Sequence, residues 1–329
     1  SLIVCVCTLS SLSSVFFFND TPATQISTLS LPAALPICVA VFFLLRLGGG
    51  NPIDYMLPED ATPEDYKLMT ESYGFDKPVI EQYWIYNINL LQGDLGDAMG
   101  FDRRPTVEVV WERLPASLHL GGTALIIAIV IGVSVGAVSA SKPDSLFDRL
   151  GKILAISAQS MPIFWVGILL ILLFSVYLGW LPSAGAVDGL AIKRLILPAT
   201  SLGFFLIASH MRITRSTMLE VLESDYIKMV RAEGLPPRMV LWKHAFKNAS
   251  IPVFTLFFVN FAGLISGAVI TETIFSWPGV GRLLVDSLIQ RDYPTTQAVI
   301  FFSAAFVLCV NIFVDVMYAW LDPRIRVAR

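Results

Sequence analysis

The stretch ASLHLGGTALIIAIVIGVSVGAVS, residues 116–139, holds 24 consecutive positions without Asp, Glu, Lys or Arg. An α-helix rises about 1.5 Å per residue, so a helix of this length can cross the roughly 30 Å hydrocarbon core of a bilayer. A charged side chain would be costly at that depth, which explains why such residues are missing. The stretch therefore predicts a transmembrane helix.

The same pattern recurs along the chain. Three further uncharged runs are long enough to span a bilayer, and a shorter one can extend as a helix past Arg212; these runs are residues 153–178, 251–271, 295–314 and 195–211. A sixth apolar stretch, Cys38–Leu47, is too short to cross alone. Of all residues 55% are apolar, only 15% are charged, and the mean hydropathy is +0.68. The sequence predicts an all-α integral membrane protein with six transmembrane helices.

The first 37 residues form a doubtful N-terminal segment. Within it, FFFNDTPATQISTLSLPAALPI, residues 16–37, resembles the peptide produced when a sequencing adapter is translated as coding sequence. A signal peptide is the alternative interpretation, but residues 1–15 lack the basic start of such peptides. We expect residues 1–37 to hold a truncated start of the first span, and residues 38–47 to be the remainder of that span.

Lysine and arginine are unevenly distributed between the two predicted faces of the membrane. Thirteen of them fall in residues 140–152, 212–249 and 324–329, whereas the short loops 179–194 and 275–294 carry two each. Basic residues accumulate in cytoplasmic loops. We therefore predict that both termini lie in the cytoplasm, with residues 324–329 as a cytoplasmic tail.

Residues 48–115 are predicted to form an extracytoplasmic subdomain between the first two spans. They contain thirteen acidic and five basic residues, and the sequence from Pro58 to Asp65 predicts the capped start of an amphipathic helix. Aromatic residues such as Tyr83 supply a face for packing. A solvated acidic linker is the alternative. Residues 116–323 would then form the transmembrane domain, with spans two to six.

Composition and motifs argue against several classes of function. The net charge of −3 does not favour a nucleic-acid partner. No Walker A motif is present, since Gly48-Gly49-Gly50 is followed by Asn51-Pro52. The four cysteines form no C-x-x-C pair, and no H-E-x-x-H motif occurs. We expect no catalytic residue, no metal and no bound cofactor, and no ATP hydrolysis by this chain alone.

A basic segment of 38 residues, 212–249, is longer than a connection between two membrane helices requires. EVLESDYIKMVRAE, Glu220–Glu233, is predicted to form one helix, and Gly234 can adopt the left-handed conformation that ends it. Pro236 and Pro237 suit the first turn of a second helix. We call residues 220–249 the elbow, and we predict that it docks against another protein.

Short motifs follow one another in order along residues 44–326. The elbow region contains Arg231-Ala232-Glu233-Gly234 and then His244-Ala245-Phe246-Lys247-Asn248-Ala249-Ser250-Ile251-Pro252. Upstream lie Arg46-Leu47, Gly50-Asn51-Pro52, Gly74-Phe75-Asp76-Lys77-Pro78 and Gly93-Asp94-Leu95-Gly96. Downstream lie Glu272-Thr273-Ile274-Phe275-Ser276-Trp277-Pro278-Gly279-Val280-Gly281 and Arg291-Asp292-Tyr293-Pro294. This series resembles the permeases of ABC importers, in the dipeptide, oligopeptide and nickel branch.

The resemblance implies a type I ABC importer permease fold in a bacterial or archaeal cytoplasmic (inner) membrane, with di- or oligopeptides as cargo. It implies a homologous second permease subunit, two cytoplasmic ABC ATPase subunits that bind ATP and magnesium, and an extracytoplasmic substrate-binding protein. It also assigns ATPase coupling to elbow residues and one neighbour, which are Tyr226, Arg231, Ala232, Glu233, Gly234, Leu235, His244, Ala245, Asn248 and Pro252.

A second set of residues follows the fifth span. Aromatic side chains and glycines there permit an irregular backbone, and they suggest part of an external gate or pathway; the set is Glu272, Phe275, Trp277, Pro278, Gly279 and Gly281. An aromatic anchor at the membrane interface is the alternative for Trp277. For Glu272 a structural role competes with a proton relay.

The leading hypothesis is a permease subunit of an ATP-driven importer that works by alternating access. The alternative is an ion-coupled secondary transporter of small solutes, in which Glu272, Asp315 or His210 would bind the coupling ion. These residues lie near the ends of spans, and no repeated half is apparent in the sequence. Both observations weigh against the secondary transporter, and the elbow favours the importer.

Overall fold

The computed structural model describes residues 26–47, 51–57, 60–100, 103–183, 192–264 and 268–321. These residues are almost entirely helical, and the only strand-like pairing among them is an isolated bridge between Asp97 and Pro105. The prediction of an all-α protein is confirmed for this part of the chain. Residues 1–25 and the tail 324–329 lie outside it.

The helices are numbered here in chain order. The first four are α1 (Ile26–Leu47), α2 (Ile53–Met56), α3 (Pro63–Ser72) and α4 (Val79–Leu91). They are followed by α5 (Thr106–Ser141), α6 (Leu146–Ser160), α7 (Ile163–Tyr177) and α8 (Ile192–Glu223). The last five are α9 (Asp225–Ala232), α10 (Pro237–Ala262), α11 (Val269–Ile274), α12 (Val280–Ile289) and α13 (Tyr293–Leu321).

Four of the described helices are long and apolar enough to cross a membrane: α5, α8, α10 and residues Tyr293–Val314 of α13. The pair α6 and α7 adds a fifth candidate span if its two helices are taken together. Cys38–Leu47 is a shorter apolar stretch at the end of α1. The predicted extension of residues 195–211 past Arg212 is confirmed, because α8 continues to Glu223.

Two predicted spans differ in shape from a single straight helix. Residues 153–178 are divided between α6 and α7, which meet at an angle of 104°. The chain is extended at Met161 and Pro162, and a proline cannot donate the hydrogen bond that would continue α6. Residues 251–271 are also divided, because α10 ends at Ala262 and α11 begins at Val269.

The chain forms two compact units, one of residues 116–278 and one of residues 1–115 with 279–329. In the first unit, α5 packs tightly against α8. A Cβ atom added at Gly132 would lie 2.7 Å from the carbonyl oxygen of Ile207, and one added at Gly136 would lie 2.6 Å from that of Met211. Only glycine allows this approach, as in small-residue contacts between membrane helices.

The five residues Gly132-Val133-Ser134-Val135-Gly136 also match the G-x-S-x-G spacing of serine hydrolases. A nucleophile elbow requires a sharp turn between a strand and a helix. Here the five residues lie inside α5, where a π-helical turn, Ile129–Val133, precedes Ser134. The glycines serve helix packing, so the spacing gives no reason to assign a hydrolase function.

In the other unit, Asp292 joins a loop of the 48–115 region to the start of α13. Its fully buried carboxylate accepts hydrogen bonds from the backbone N–H groups of Met99 (2.9 Å) and Gly100 (3.1 Å), and from the Thr295 N–H (3.0 Å) and hydroxyl (2.7 Å). The carboxylate therefore caps the helix N-terminus while it holds the loop. This fixes the end of the 48–115 region against α13.

The capped helix start predicted in the 48–115 region is confirmed, and the structure identifies Thr62 as the residue that caps α3. The Thr62 hydroxyl accepts from the Asp65 N–H (3.3 Å), and the Asp65 carboxylate accepts from the Thr62 N–H (3.1 Å), which is a capping box. The hydrogen bonds from the Thr62 hydroxyl and N–H lower the pKa of Asp65 below its usual value.

Candidate functional site

The elbow contains a break that the sequence interpretation missed. Glu220–Glu233 was predicted as one helix, but α8 ends at Glu223, the backbone is extended at Ser224 (ψ 151°), and α9 begins at Asp225. The prediction of a single helix is therefore wrong. Serine followed by aspartate is a common start of a helix, and this local signal could have revealed the break.

The predicted turn after this helix is confirmed. Gly234 has φ +78°, in the left-handed region, and its N–H donates to the Arg231 carbonyl (3.1 Å). Pro236 is extended, and α10 begins at Pro237, as expected from a missing N–H in the first helical turn. The elbow is thus a short helix, a left-handed residue and a second helix.

One face of α9 is buried against the ends of other helices. Ile227 is fully buried and Val230 is 3% exposed. They belong to a single apolar cluster with residues from α5, α8 and α10, which are Ala137, Ala140, Met218, Leu222, Val240, Ala245 and Ala249. Because α9 is packed on three other helices, a force on α9 is transmitted to all of them.

A polar contact joins the two arms of the elbow. The Tyr226 hydroxyl lies 3.0 Å from Nδ1 of His244, and the two rings are 6.3 Å apart. Tyr226 belongs to α9, and His244 lies in a π-helical turn of α10, Val240–Ala245. The sequence named both residues without placing them in contact. Together they fix the angle between α9 and α10.

The predicted coupling residues differ in exposure. Those that are exposed are Tyr226, Arg231, Ala232, Glu233, Gly234, Asn248 and Pro252. Leu235 and His244 are partly buried, and Ala245 is fully buried in the apolar cluster. Ala245 can therefore position the elbow but cannot itself touch a partner.

Sequence reasoning missed three exposed apolar residues of the elbow, of which Met239 on α10 is the least exposed. Met229 on α9 is 58% exposed and Trp242 on α10 is 42% exposed. Large apolar side chains of this kind are enriched where proteins bind one another. Lys228, paired with Asp225 at 2.7 Å, adds charge to the same helix. The exposed part of α9 thus combines an apolar side chain with charged neighbours.

A buried ion pair supports the helix that leads into the elbow. Asp148 of α6 is fully buried, and its carboxylate accepts two hydrogen bonds from Arg215 of α8, at 2.5 and 2.9 Å. Lys152 lies 3.1 Å from the same carboxylate. Sequence reasoning did not find the pair because its members are 67 positions apart. The bidentate geometry fixes α6 to α8.

The residues predicted as an external gate are mostly buried. Glu272 is fully buried, and its Oε1 accepts a hydrogen bond from the Ser117 hydroxyl (2.6 Å). Trp277 is also fully buried, and its Nε1 donates to the Ala116 carbonyl (2.9 Å). This burial contradicts the alternative of an interfacial aromatic anchor at Trp277.

The rest of this set is divided between the two units. Phe275 is 2% exposed, and a Cβ atom added at Gly167 of α7 would lie 3.2 Å from its ring. Pro278 is the last residue of its unit, whereas Gly279 and Gly281 belong to the other one. The backbone is irregular from Phe275 to Pro278, where Ser276 has φ +48°, and it is extended at Gly279, as the sequence predicted. Gly281 instead lies in the regular first turn of α12.

Of the three residues named for the secondary transporter, Glu272 and His210 have described side chains. His210 is fully buried, and its Nδ1 lies 2.9 Å from the Leu206 carbonyl oxygen. The side chain of Asp315 lies outside the described residues. Among the described residues, no three His, Cys, Asp or Glu side chains are grouped so that they could hold a metal ion.

Comparison with known proteins identifies the family. Residues 128–327 match the family described as binding-protein-dependent transport system inner membrane component. The chain belongs to this family. It is 39% identical over 323 residues to the dipeptide transport system permease protein DppB of Alkalihalophilus pseudofirmus, with 91% of this chain and 97% of that protein covered.

Two further comparisons agree with this permease assignment. The chain is 40% identical to the di/tripeptide transport system permease protein DppB of Pseudomonas aeruginosa, over 91% of this chain and 96% of that protein. It is 39% identical to the glutathione transport system permease protein GsiC of Pectobacterium atrosepticum, over 90% of this chain and 95% of that protein.

The fold of the permease resembles a solved ABC transporter. A chain of the MetNI methionine ABC transporter, in an inward-facing conformation, matches with a TM-score of 0.55 at 15% identity. The match covers 66% of this chain and 97% of the other. At this identity the likeness concerns the fold alone. The family assignment favours the importer over the ion-coupled secondary transporter.

Proposed function

We propose that this permease is the translocation subunit of an ATP-driven, binding-protein-dependent importer for di- or oligopeptides. Peptides are supported as the cargo because the similar proteins are dipeptide, di/tripeptide and glutathione transport permeases. The permease would pair with a homologous second permease and receive substrate from an extracytoplasmic binding protein. Two cytoplasmic ATPase subunits would bind ATP and magnesium, so that this chain itself remains a non-enzymatic subunit.

The packing of α9 is the observation that carries this proposal. Its buried residues, Ile227 and Val230, contact side chains of α5, α8 and α10, while Met229 and Arg231 remain exposed. An ATPase that binds the exposed face would therefore move three membrane helices as one group. Such rigid-body movement of packed helices is a common basis of switching between two states. This supports ATPase coupling at the elbow.

The proposed topology has six spans, with α1 as the first and the pair α6 and α7 as the third. The elbow joins spans four and five in the cytoplasm, and residues 48–115 form the extracytoplasmic subdomain. The distribution of lysine and arginine supports this orientation. Both termini would lie on the cytoplasmic side of a bacterial or archaeal inner membrane.

We assign a structural role to the buried residues of the external set. Glu272, Phe275 and Trp277 hold residues 268–278 against α5 and α7 through the hydrogen bond to Ser117 and the contact with Gly167. They would form a fixed wall beside the substrate pathway. A permanently buried and hydrogen-bonded carboxylate stabilises such a wall without having to exchange protons.

The orientation is tested with single cysteines and a membrane-impermeant thiol reagent in intact cells and in inverted vesicles. A cysteine at Lys228 should react only in inverted vesicles, and one at Asp60 only in intact cells. The native cysteines are first replaced by serine, and the cysteine-free protein serves as the blank. The opposite labelling pattern would reverse the proposed topology.

The coupling is tested by co-purification from membranes in which the neighbouring transporter genes are co-expressed. Arg231→Glu combined with Met229→Glu should remove the ATPase subunits from the purified complex, because both side chains are exposed on α9. Lys193→Glu is the matched control, since it reverses an exposed charge at the other end of α8. Equal ATPase recovery with both proteins would exclude α9 as the docking site.

A further inference from the structure

Helix α4 exposes a stripe of large apolar side chains. The stripe consists of Ile80 (67% exposed), Trp84 (63%), Ile88 (52%) and Leu91 (89%). Intervals of four, four and three residues place them on one face of the helix. A continuous apolar stripe of this size on an external helix indicates contact with a lipid or protein surface rather than with water.

The other face of α4 is held against the end of α1. The ring of Tyr83 lies 5.2 Å from that of Phe42, and the ring of Tyr86 lies 5.5 Å from it. Nε of Arg46 donates a hydrogen bond to the Gln82 side chain (2.7 Å). The guanidinium also lies 3.5 Å above the Phe42 ring. These contacts fix the position of α4 relative to the first span.

The order of these contacts gives the slope of α4. Along α1, Phe42 lies one turn, roughly 6 Å, before Arg46, and α1 ends at Leu47. Gln82 meets Arg46, whereas Tyr86, one turn later in α4, meets Phe42. If α1 runs outward through the membrane, α4 therefore descends towards the bilayer from its first turn to its last.

The distribution of charge along α4 agrees with this slope. The only charged residue of the helix is Glu81 in the first turn, where Lys77 pairs with it at 3.3 Å. Trp84, Ile88 and Leu91 follow on the lower part. Charged groups at headgroup level with tryptophan and aliphatic side chains below them are typical of helices that lie in a membrane interface.

We propose that the apolar stripe of α4 lies in the outer leaflet, at the boundary between lipid headgroups and acyl chains. This inference rests on the orientation given under the proposed function. Leu47, next to Arg46 at the end of α1, is also apolar and 75% exposed. The extracytoplasmic subdomain is thereby anchored to the membrane along one helix.

The charges of α3 favour lipid over the binding protein as the partner of this stripe. Exposed side chains of α3 are charged at several positions, which are Glu64, Asp65, Lys67 and Glu71. Charged groups of this kind suit an electrostatic encounter with a soluble protein better than the stripe does. The stripe, in contrast, consists only of uncharged apolar side chains.

Nitroxide accessibility tests the proposal on the assembled transporter in lipid nanodiscs. Single cysteines at Ile88 and Leu91, in a protein whose native cysteines are serine, carry the spin label, and Lys67→Cys on α3 is the control. The two stripe positions should show severalfold more collision with oxygen, relative to a water-soluble nickel chelate, than position 67. A second measurement needs no label: brominated lipids quench the fluorescence of tryptophans that contact lipid. The wild type should lose a larger fraction of its tryptophan fluorescence than Trp84→Phe.

Each other outcome contradicts lipid contact in a different way. Nickel access equal to that at position 67 would mean that the stripe faces water. Protection from both oxygen and the nickel chelate would mean that protein covers the stripe. If the protection appears only after binding protein is added, the covering protein is the binding protein; otherwise it is the second permease. Labelling of Lys67→Cys with a membrane-impermeant thiol reagent shows separately on which side of the membrane α3 lies. An inverted orientation is thereby distinguished from a correctly oriented stripe that does not contact lipid.

Discussion

Gly234→Val tests whether the angle of the elbow is set by one left-handed residue. The backbone at Gly234 has φ +78°, and an added Cβ atom would meet nothing within 4 Å. The cost of the substitution is therefore conformational and not steric. A residue with a Cβ atom loses about 1–2 kcal/mol in this region, and a β-branched residue lies at the upper end.

A loss of this size lowers the equilibrium ratio of correctly angled to wrongly angled elbows by roughly 5-fold to 30-fold. Peptide uptake driven by ATP and binding protein should fall in proteoliposomes, by up to this factor, whereas the amount of permease in the membrane should not change. Gly234→Asn is the matched control, because asparagine tolerates the left-handed region and should retain most of the activity. Equal uptake by the valine variant and the wild type, at equal levels of assembled complex, would refute the argument.

Three further substitutions test the packing of the 116–278 unit. Gly136→Leu places atoms where a Cβ alone would be 2.6 Å from a carbonyl of α8, so we expect at least 1–3 kcal/mol of destabilisation, measurable as a lower Tm of the purified protein. Arg215→Ala leaves the buried carboxylate of Asp148 without its bidentate partner and should lower the free energy of unfolding by about 3 kcal/mol. The double variant with Asp148→Asn removes the unpaired charge and should recover part of this loss in the same melting assay. Glu272→Gln keeps the shape and can still accept from Ser117, so uptake should persist; loss of uptake at unchanged Tm would instead favour a proton relay.

Much of the fold follows from local patterns in the sequence. The uncharged run at 116–139 becomes part of α5, and the capped start at Thr62 opens α3, because both depend on neighbouring residues alone. The elbow was predicted for the same reason, since Gly234 and Pro237 restrict the backbone locally whatever surrounds them. Such features need no knowledge of the tertiary structure.

The remaining features depend on contacts between distant parts of the chain. The sequence left Trp277 open between an external gate and an interfacial anchor, whereas its indole donates a hydrogen bond to the Ala116 carbonyl 161 positions away. The partner of Asp148 is equally invisible in the sequence, because nothing local to either residue indicates Arg215. Within the candidate site, the sequence named coupling residues but could not tell which side chains are buried. The burial of Ala245 and the exposure of Met229 depend on how α9 packs against the other helices.

Photo-cross-linking from α9 shows whether the elbow binds an ATPase subunit. Benzoylphenylalanine in place of Met229 is irradiated in membranes that contain the whole transporter, and the products are identified by mass spectrometry. We expect a covalent product with an ATPase subunit that is absent when the same group replaces Glu64 on α3. A product with the binding protein, or no ATPase product from position 229 in a complex that still transports peptide, would contradict it.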